Sequence, residues 1–168
     1  MLNKSTLIEP HPTPPTKDSN IELVYNLNIM LPINFLAVCV ATVAAFVLGF
    51  LFHGPLLGKV WMKLANVQMT GNEKFADMIP KMLWNLLANF VTAFILAIIY
   101  LLVSSSPFLG GPGIWTGIIC GLLVWLGFLV TSTSINVIWM GGSLKLWLFE
   151  SACSLVVMAA MGAIIAAW

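Results

Sequence analysis

The sequence predicts an all-α membrane protein, an up-down bundle of four transmembrane helices with an amphipathic loop helix between the first two. Composition is the first reason. Of 168 residues, 60% are hydrophobic and 8% charged, whereas soluble domains carry roughly 45–50% apolar and about 25% charged residues. The second reason is length. Four apolar stretches, residues 32–53, 82–103, 113–139 and 144–168, each reach the roughly 20 residues that cross a hydrocarbon core of about 30 Å. The third is periodicity: none of them alternates in the short segments of about ten residues that a transmembrane barrel requires.

The N-terminal residues 1–30 read as a disordered polar extension. His11-Pro12-Thr13-Pro14-Pro15-Thr16 cannot form a helix interior, and little apolar surface accompanies it. Met30 stands directly before Leu31-Pro32-Ile33-Asn34 and is a candidate native start. The first span carries a small-residue stripe, Ala37, Ala41, Ala45 and Gly49, that continues to His53. In the following loop Leu56, Leu57, Val60, Trp61 and Leu64 recur at helical spacing opposite Lys59 and Lys63. That pattern predicts an in-plane helix at the membrane surface, as a lid or as a docking platform. Thr70-Gly71-Asn72-Glu73 fits a capping box opening a second short helix with Phe75, Met78 and Ile79 on one side.

The second span has Asn85, Asn89, Ala93 and Ala97 at four-residue spacing. Ser104-Ser105-Ser106-Pro107 and Gly110-Gly111-Pro112-Gly113 then break the chain. Gly113, Gly117 and Gly121 open the third span, and Thr131, Ser132, Thr133, Ser134 and Asn136 fill its far end. Gly141-Gly142 form a turn, with Ser143 as N-cap of the fourth span, which carries Glu150, Ser151 and Ser154 and then Ala159, Ala163 and Ala167. Small residues let helices approach closely in lipid, so Ala41, Ala45, Gly49, Gly113, Gly117 and Gly121 are the expected helix-packing positions, with one stripe available to a second copy. Six of seven tryptophans fall near predicted span ends, where the indole suits the headgroup zone; Trp125 is mid-span.

Lysine placement predicts orientation. Lys59, Lys63, Lys74, Lys81 and Lys145 lie in the first and third loops, against Lys4 and Lys17 in the tail. Positive loops stay inside, which puts both termini outside the cytoplasm of a multi-pass protein in the cell membrane, the expected setting being a bacterial inner membrane.

Polar side chains concentrate at the cytoplasmic ends of the spans. His53, Asn85, Asn89, Thr131, Asn136, Glu150 and Ser154 compose a candidate pocket, with Glu150 its acid and His53 its nearest titratable neighbour. The alternative is structural, since Asn and Ser also bridge helices in lipid. No metal site is expected from two histidines, one of them in the tail. Cys39, Cys120 and Cys153 lie singly in three spans. The absence of Arg and of any glycine-rich phosphate loop weighs against anionic cofactors, and no cofactor is expected. A net charge of +1 excludes electrostatic nucleic-acid binding.

Several motifs together carry a resemblance. They are Asn34-Phe35-Leu36-Ala37-Val38, Gly49-Phe50-Leu51-Phe52-His53-Gly54-Pro55-Leu56, Gly58-Lys59-Val60-Trp61-Met62-Lys63, Trp125-Leu126-Gly127-Phe128 and Met161-Gly162-Ala163-Ile164-Ile165. Over about residues 31–168 the chain resembles the domain of unknown function 1761 family, small multi-pass membrane proteins found largely in bacteria. The resemblance implies the membrane class and a continuous domain; it carries no reaction, ligand or site residue.

Three functional classes follow from the residues. The first, which the single span-associated carboxylate favours, is an accessory or oligomeric membrane subunit whose partners are the lipid bilayer and a second copy or another membrane protein. The second is a small transporter or channel component with a cytoplasm-facing polar pocket. The third, an integral membrane enzyme for lipophilic substrates, has the least support.

Overall fold

The computed structural model describes residues 33–67, 75–106 and 111–168, with Phe75 by its backbone alone. The N-terminal extension with Met30, the Thr70–Glu73 capping box and the turn residues 107–110 lie outside the described residues. Among those described, every regular element is a helix, and four are long and apolar enough to cross a membrane.

Helix α1 (Phe35–Leu51) starts where Asn34 Oδ1 accepts the backbone N–H groups of Leu36 and Ala37, at 3.1 and 3.2 Å. Those donors have no intrahelical partner, and in an apolar setting they need one. Past Leu51 the helix widens into a π turn, Phe52–Leu56, which breaks at Gly54 (φ −115°, ψ −105°) just before Pro55. The chain then enters the short helix α2 (Gly58–Ala65), which ends at Asn66 in the left-handed region (φ 53°). Lys59 and Lys63 of α2 are exposed.

Helix α3 (Phe75–Ser104) is one continuous helix of 30 residues. Phe75, Met78 and Ile79, expected on a separate short helix, belong to this same helix, which starts ahead of the expected boundary at residue 82. Pro80, the sixth residue, lacks the N–H that would reach the Ala76 carbonyl, and the helix continues through it. The turns bearing Asp77 and Lys81 thus extend the span rather than interrupt it.

Helix α4 (Ile114–Ile138) contains a second π segment, Trp125–Val130. At its end Gly141 adopts φ 66°, which glycine allows without penalty, and the Gly142 N–H donates to the Asn136 carbonyl at 2.9 Å. Helix α5 (Leu144–Ala166) follows, with Ser143 Oγ accepting the Leu146 N–H.

The core lies on the axis of the bundle. Val38, Ala41 and Ala45 of α1 meet Ala93, Leu96 and Ala97 of α3, Cys120 of α4, and Met158, Met161 and Ile165 of α5. Helices α4 and α5 approach most closely. A Cβ at Gly117 would collide with the Gly162 carbonyl and Ala166, and one at Gly121 with the Met158 carbonyl. Gly49 and Gly113 differ, with open space where a Cβ would stand. The buried hydroxyls find backbone acceptors: Thr42 donates to the Val38 carbonyl and Thr116 to that of Gly111, each at 2.7 Å.

Candidate functional site

A cavity of about 460 Å³ opens between α1, α3 and α5. Its apolar wall comprises Phe46, Phe50, Phe52, Leu129, Val157 and four methionines, Met78, Met82, Met158 and Met161; Ala45 and Gly49 give it room on α1. Its polar wall is His53 from α1, Asn85, Asn89 and Thr92 from α3, and Glu150, Cys153 and Ser154 from α5.

The π turn places His53. Its Nδ1 lies 3.0 Å from the Gly49 carbonyl oxygen, and its Nε2 lies 2.9 Å from Glu150 Oε2. A carbonyl only accepts, so Nδ1 carries a hydrogen and donates it. The other Glu150 oxygen, Oε1, accepts the Trp61 indole N–H at 2.7 Å. Glu150 is therefore hydrogen-bonded to two different elements, the π turn after α1 and the short helix α2. The His53 ring sits edge-on between Trp61 and Phe149, with centroids 5.6 and 6.4 Å away. A Cβ at Gly58 would stand 2.8 Å from the His53 carbonyl oxygen, so α2 begins hard against this histidine. The His53 and Glu150 side chains are 36% and 42% exposed, which places the pair at the rim of the cavity rather than in the sealed core.

Behind the pair, Trp125 from the π segment of α4 donates its indole N–H to the Ser151 carbonyl (2.9 Å) and Ser154 Oγ (3.1 Å). Ser154 in turn donates to the Ser151 carbonyl at 3.0 Å. On α3, Asn89 Nδ2 donates to Asn85 Oδ1 at 3.4 Å and Thr92 donates to the Ala88 carbonyl at 2.9 Å. Both π segments thus contribute to the site, one through His53 and the other through Trp125 and Leu129; π turns recur at functional positions because they re-aim side chains.

Of the residues expected in the pocket, His53, Asn85, Asn89, Glu150 and Ser154 line the cavity, whereas Thr131 and Asn136 do not. Thr131 is exposed, its hydroxyl turned back to the Gly127 and Phe128 carbonyls at 2.7 and 3.3 Å, and the Asn136 side chain is exposed. Both lie on α4, to which the cavity owes only Leu129 among its lining residues, and the depth they share with His53 and Glu150 does not bring their side chains to it.

The partner that spacing did not reveal is Trp61. Its period places it with the apolar face of α2, yet its N–H reaches Glu150, 89 residues away in sequence. The available signal was the indole itself, which has an N–H to satisfy whenever it turns toward a bundle. Among the described residues no group of three or more His, Cys, Asp or Glu could hold a metal ion.

A family model described as protein of unknown function (DUF1761) matches residues 36–166. No curated protein and no solved structure matches the chain. The matched residues contain α2, all but the first residue of α1, the other three spans, and both members of the His53–Glu150 pair, and on that extent the chain belongs to the DUF1761 family.

Proposed function

We propose that this integral membrane protein binds a small amphipathic molecule in the cavity between α1, α3 and α5, and serves as a small transporter or channel component. The observation that carries the reading is the rim, where Glu150, His53 and Trp61 from three elements converge beside an apolar chamber. The polar residues bond to one another across elements without filling the room between the helices. Here they border a space within the range of roughly 300–1,000 Å³ typical of small-ligand pockets. One turn further along, Ala41, Leu96 and Ile165 are buried core residues, so the polar chamber belongs to one end of the bundle. By the lysine distribution that end faces the cytoplasm.

The accessory or oligomeric role draws on the small-residue stripes. Gly117 and Gly121 are taken up by α5 of the same chain, which leaves that stripe unavailable to a second copy. The pocket reading therefore takes precedence.

Gly49→Leu tests it. Gly49 lines the cavity and has open space at its Cβ position, so a leucine there starts without a clash and takes up room in the chamber. Organic extraction and mass spectrometry of protein purified from native membranes should find a co-purifying small molecule in the natural chain and lose it in the variant, with thermal stability retained. Identical extracts would leave the accessory role as the better account.

A further inference from the structure

We infer that the cavity takes an organic cation, which enters in exchange for one proton held between His53 and Glu150; this rests on the binding role proposed above. The first observation is that proton. Because Nδ1 donates to the Gly49 carbonyl, its hydrogen is already committed. A 2.9 Å contact between Nε2 and Oε2 then requires a second proton between them, either as imidazolium with carboxylate or as imidazole with carboxylic acid. In both forms the pair is neutral overall and holds one proton it can release.

The second observation is what the polar wall has left to offer. The hydroxyls of Thr92 and Ser154 donate to backbone carbonyls, and the Trp61 and Trp125 indoles donate within the protein. Acceptor lone pairs remain on Glu150, Thr92, Ser154 and Asn89, with amide N–H groups of Asn85 and Asn89 as the remaining donors, while Phe46, Phe50 and Phe52 bring aromatic rings to the wall. A carboxylate and hydroxyl acceptors beside aromatic rings suit a cation. Cys153 is the other titratable side chain at the wall; Lys59 and Lys63 of α2, and Asp77 and Lys81 of α3, do not line it.

The exchange balances without any other reactant. The arriving cation takes the Glu150 carboxylate as counter-ion, His53 is left as neutral imidazole, and the proton passes to water at the rim. The cavity carries zero net charge before and after, which avoids stranding a lone charge at membrane depth.

Benzyltrimethylammonium and its neutral isostere neopentylbenzene provide the test. The cation has no titratable proton, so every proton released comes from the protein. Calorimetry on the full chain, at one pH in two buffers of different ionisation enthalpy, should show about one proton released per cation and affinity rising about tenfold per pH unit while the pair is protonated. The cation should bind at least about tenfold more tightly than the isostere, and Glu150→Gln should abolish both the release and the preference. The buffer comparison on the natural chain decides the matter even where that variant fails to fold. Equal binding of the two probes without proton release overturns the exchange and leaves the pocket standing. Failure of both probes to bind also overturns it, and the Gly49→Leu extract then shows whether the pocket reading falls with it.

Discussion

Trp61 shows how one side chain joins the surface helix to the bundle. Its N–H donates to Glu150, and its ring flanks His53. A charge-assisted hydrogen bond contributes roughly 1.5–3 kcal/mol when shielded, and less at a rim where Glu150 is 42% exposed. Trp61→Phe keeps most of the ring and removes the donor. Hydrogen exchange should accelerate across residues 58–65 while the four spans keep their protection; unchanged exchange in α2 would show that backbone packing at Gly58 holds it instead. The tie was not legible beforehand because α2 periodicity groups Trp61 with Leu57 and Leu64. Nothing in the spacing says which apolar-face residue turns inward. The Glu150–His53 pairing was more accessible, being an acid and a base at the same predicted depth, each with few other polar neighbours.

Among the elements, α4 and α5 depend most on the absence of side chains. Without a hydrophobic drive between helices in lipid, close backbone approach supplies the attraction, and Gly117 and Gly162 face each other with no room for a methyl group on either. Gly117→Ala should destabilise the bundle by about 1–3 kcal/mol through overpacking. Gly127→Ala is the matched control: its Cβ position is open, so the change should be neutral or stabilise by up to about 1 kcal/mol through helix propensity. Equilibrium unfolding in mixed micelles compares the two, and equal effects would remove the packing argument. The spans themselves were legible as hydropathy runs, since length and apolarity are summed over twenty residues and tolerate local error. The π segments were not. They depend on which carbonyl each N–H selects, and Thr131 and Asn136 share the pocket's depth, which does not say which side of α4 carries them. The start of α3 was not legible either, because Asp77 and Lys81 mark a charged segment and the helix runs through it.

For the molecule as a whole, the cavity and the lysine-rich first loop lie at the same end of the bundle. His53 ends α1, Asn85 lies in the early turns of α3, and Glu150 lies seven residues into α5. Four spans in alternation put α2 and the α4–α5 turn on that side and the α3–α4 connection on the other. If positive charge sets the orientation, the side bearing Lys59, Lys63, Lys81 and Lys145 is cytoplasmic, and any molecule reaching the cavity by its rim comes from the cytoplasm. Ser105 and Lys63 are exposed on opposite sides and serve as reporters. With Cys39, Cys120 and Cys153 changed to alanine, a cysteine at Ser105 should react with a membrane-impermeant maleimide in intact cells. One at Lys63 should react only after the membrane is opened. The reverse pattern would invert the protein and put the His53–Glu150 rim on the external face. The proton released on cation entry would then appear outside, and the same pocket would serve uptake rather than capture from the cell interior.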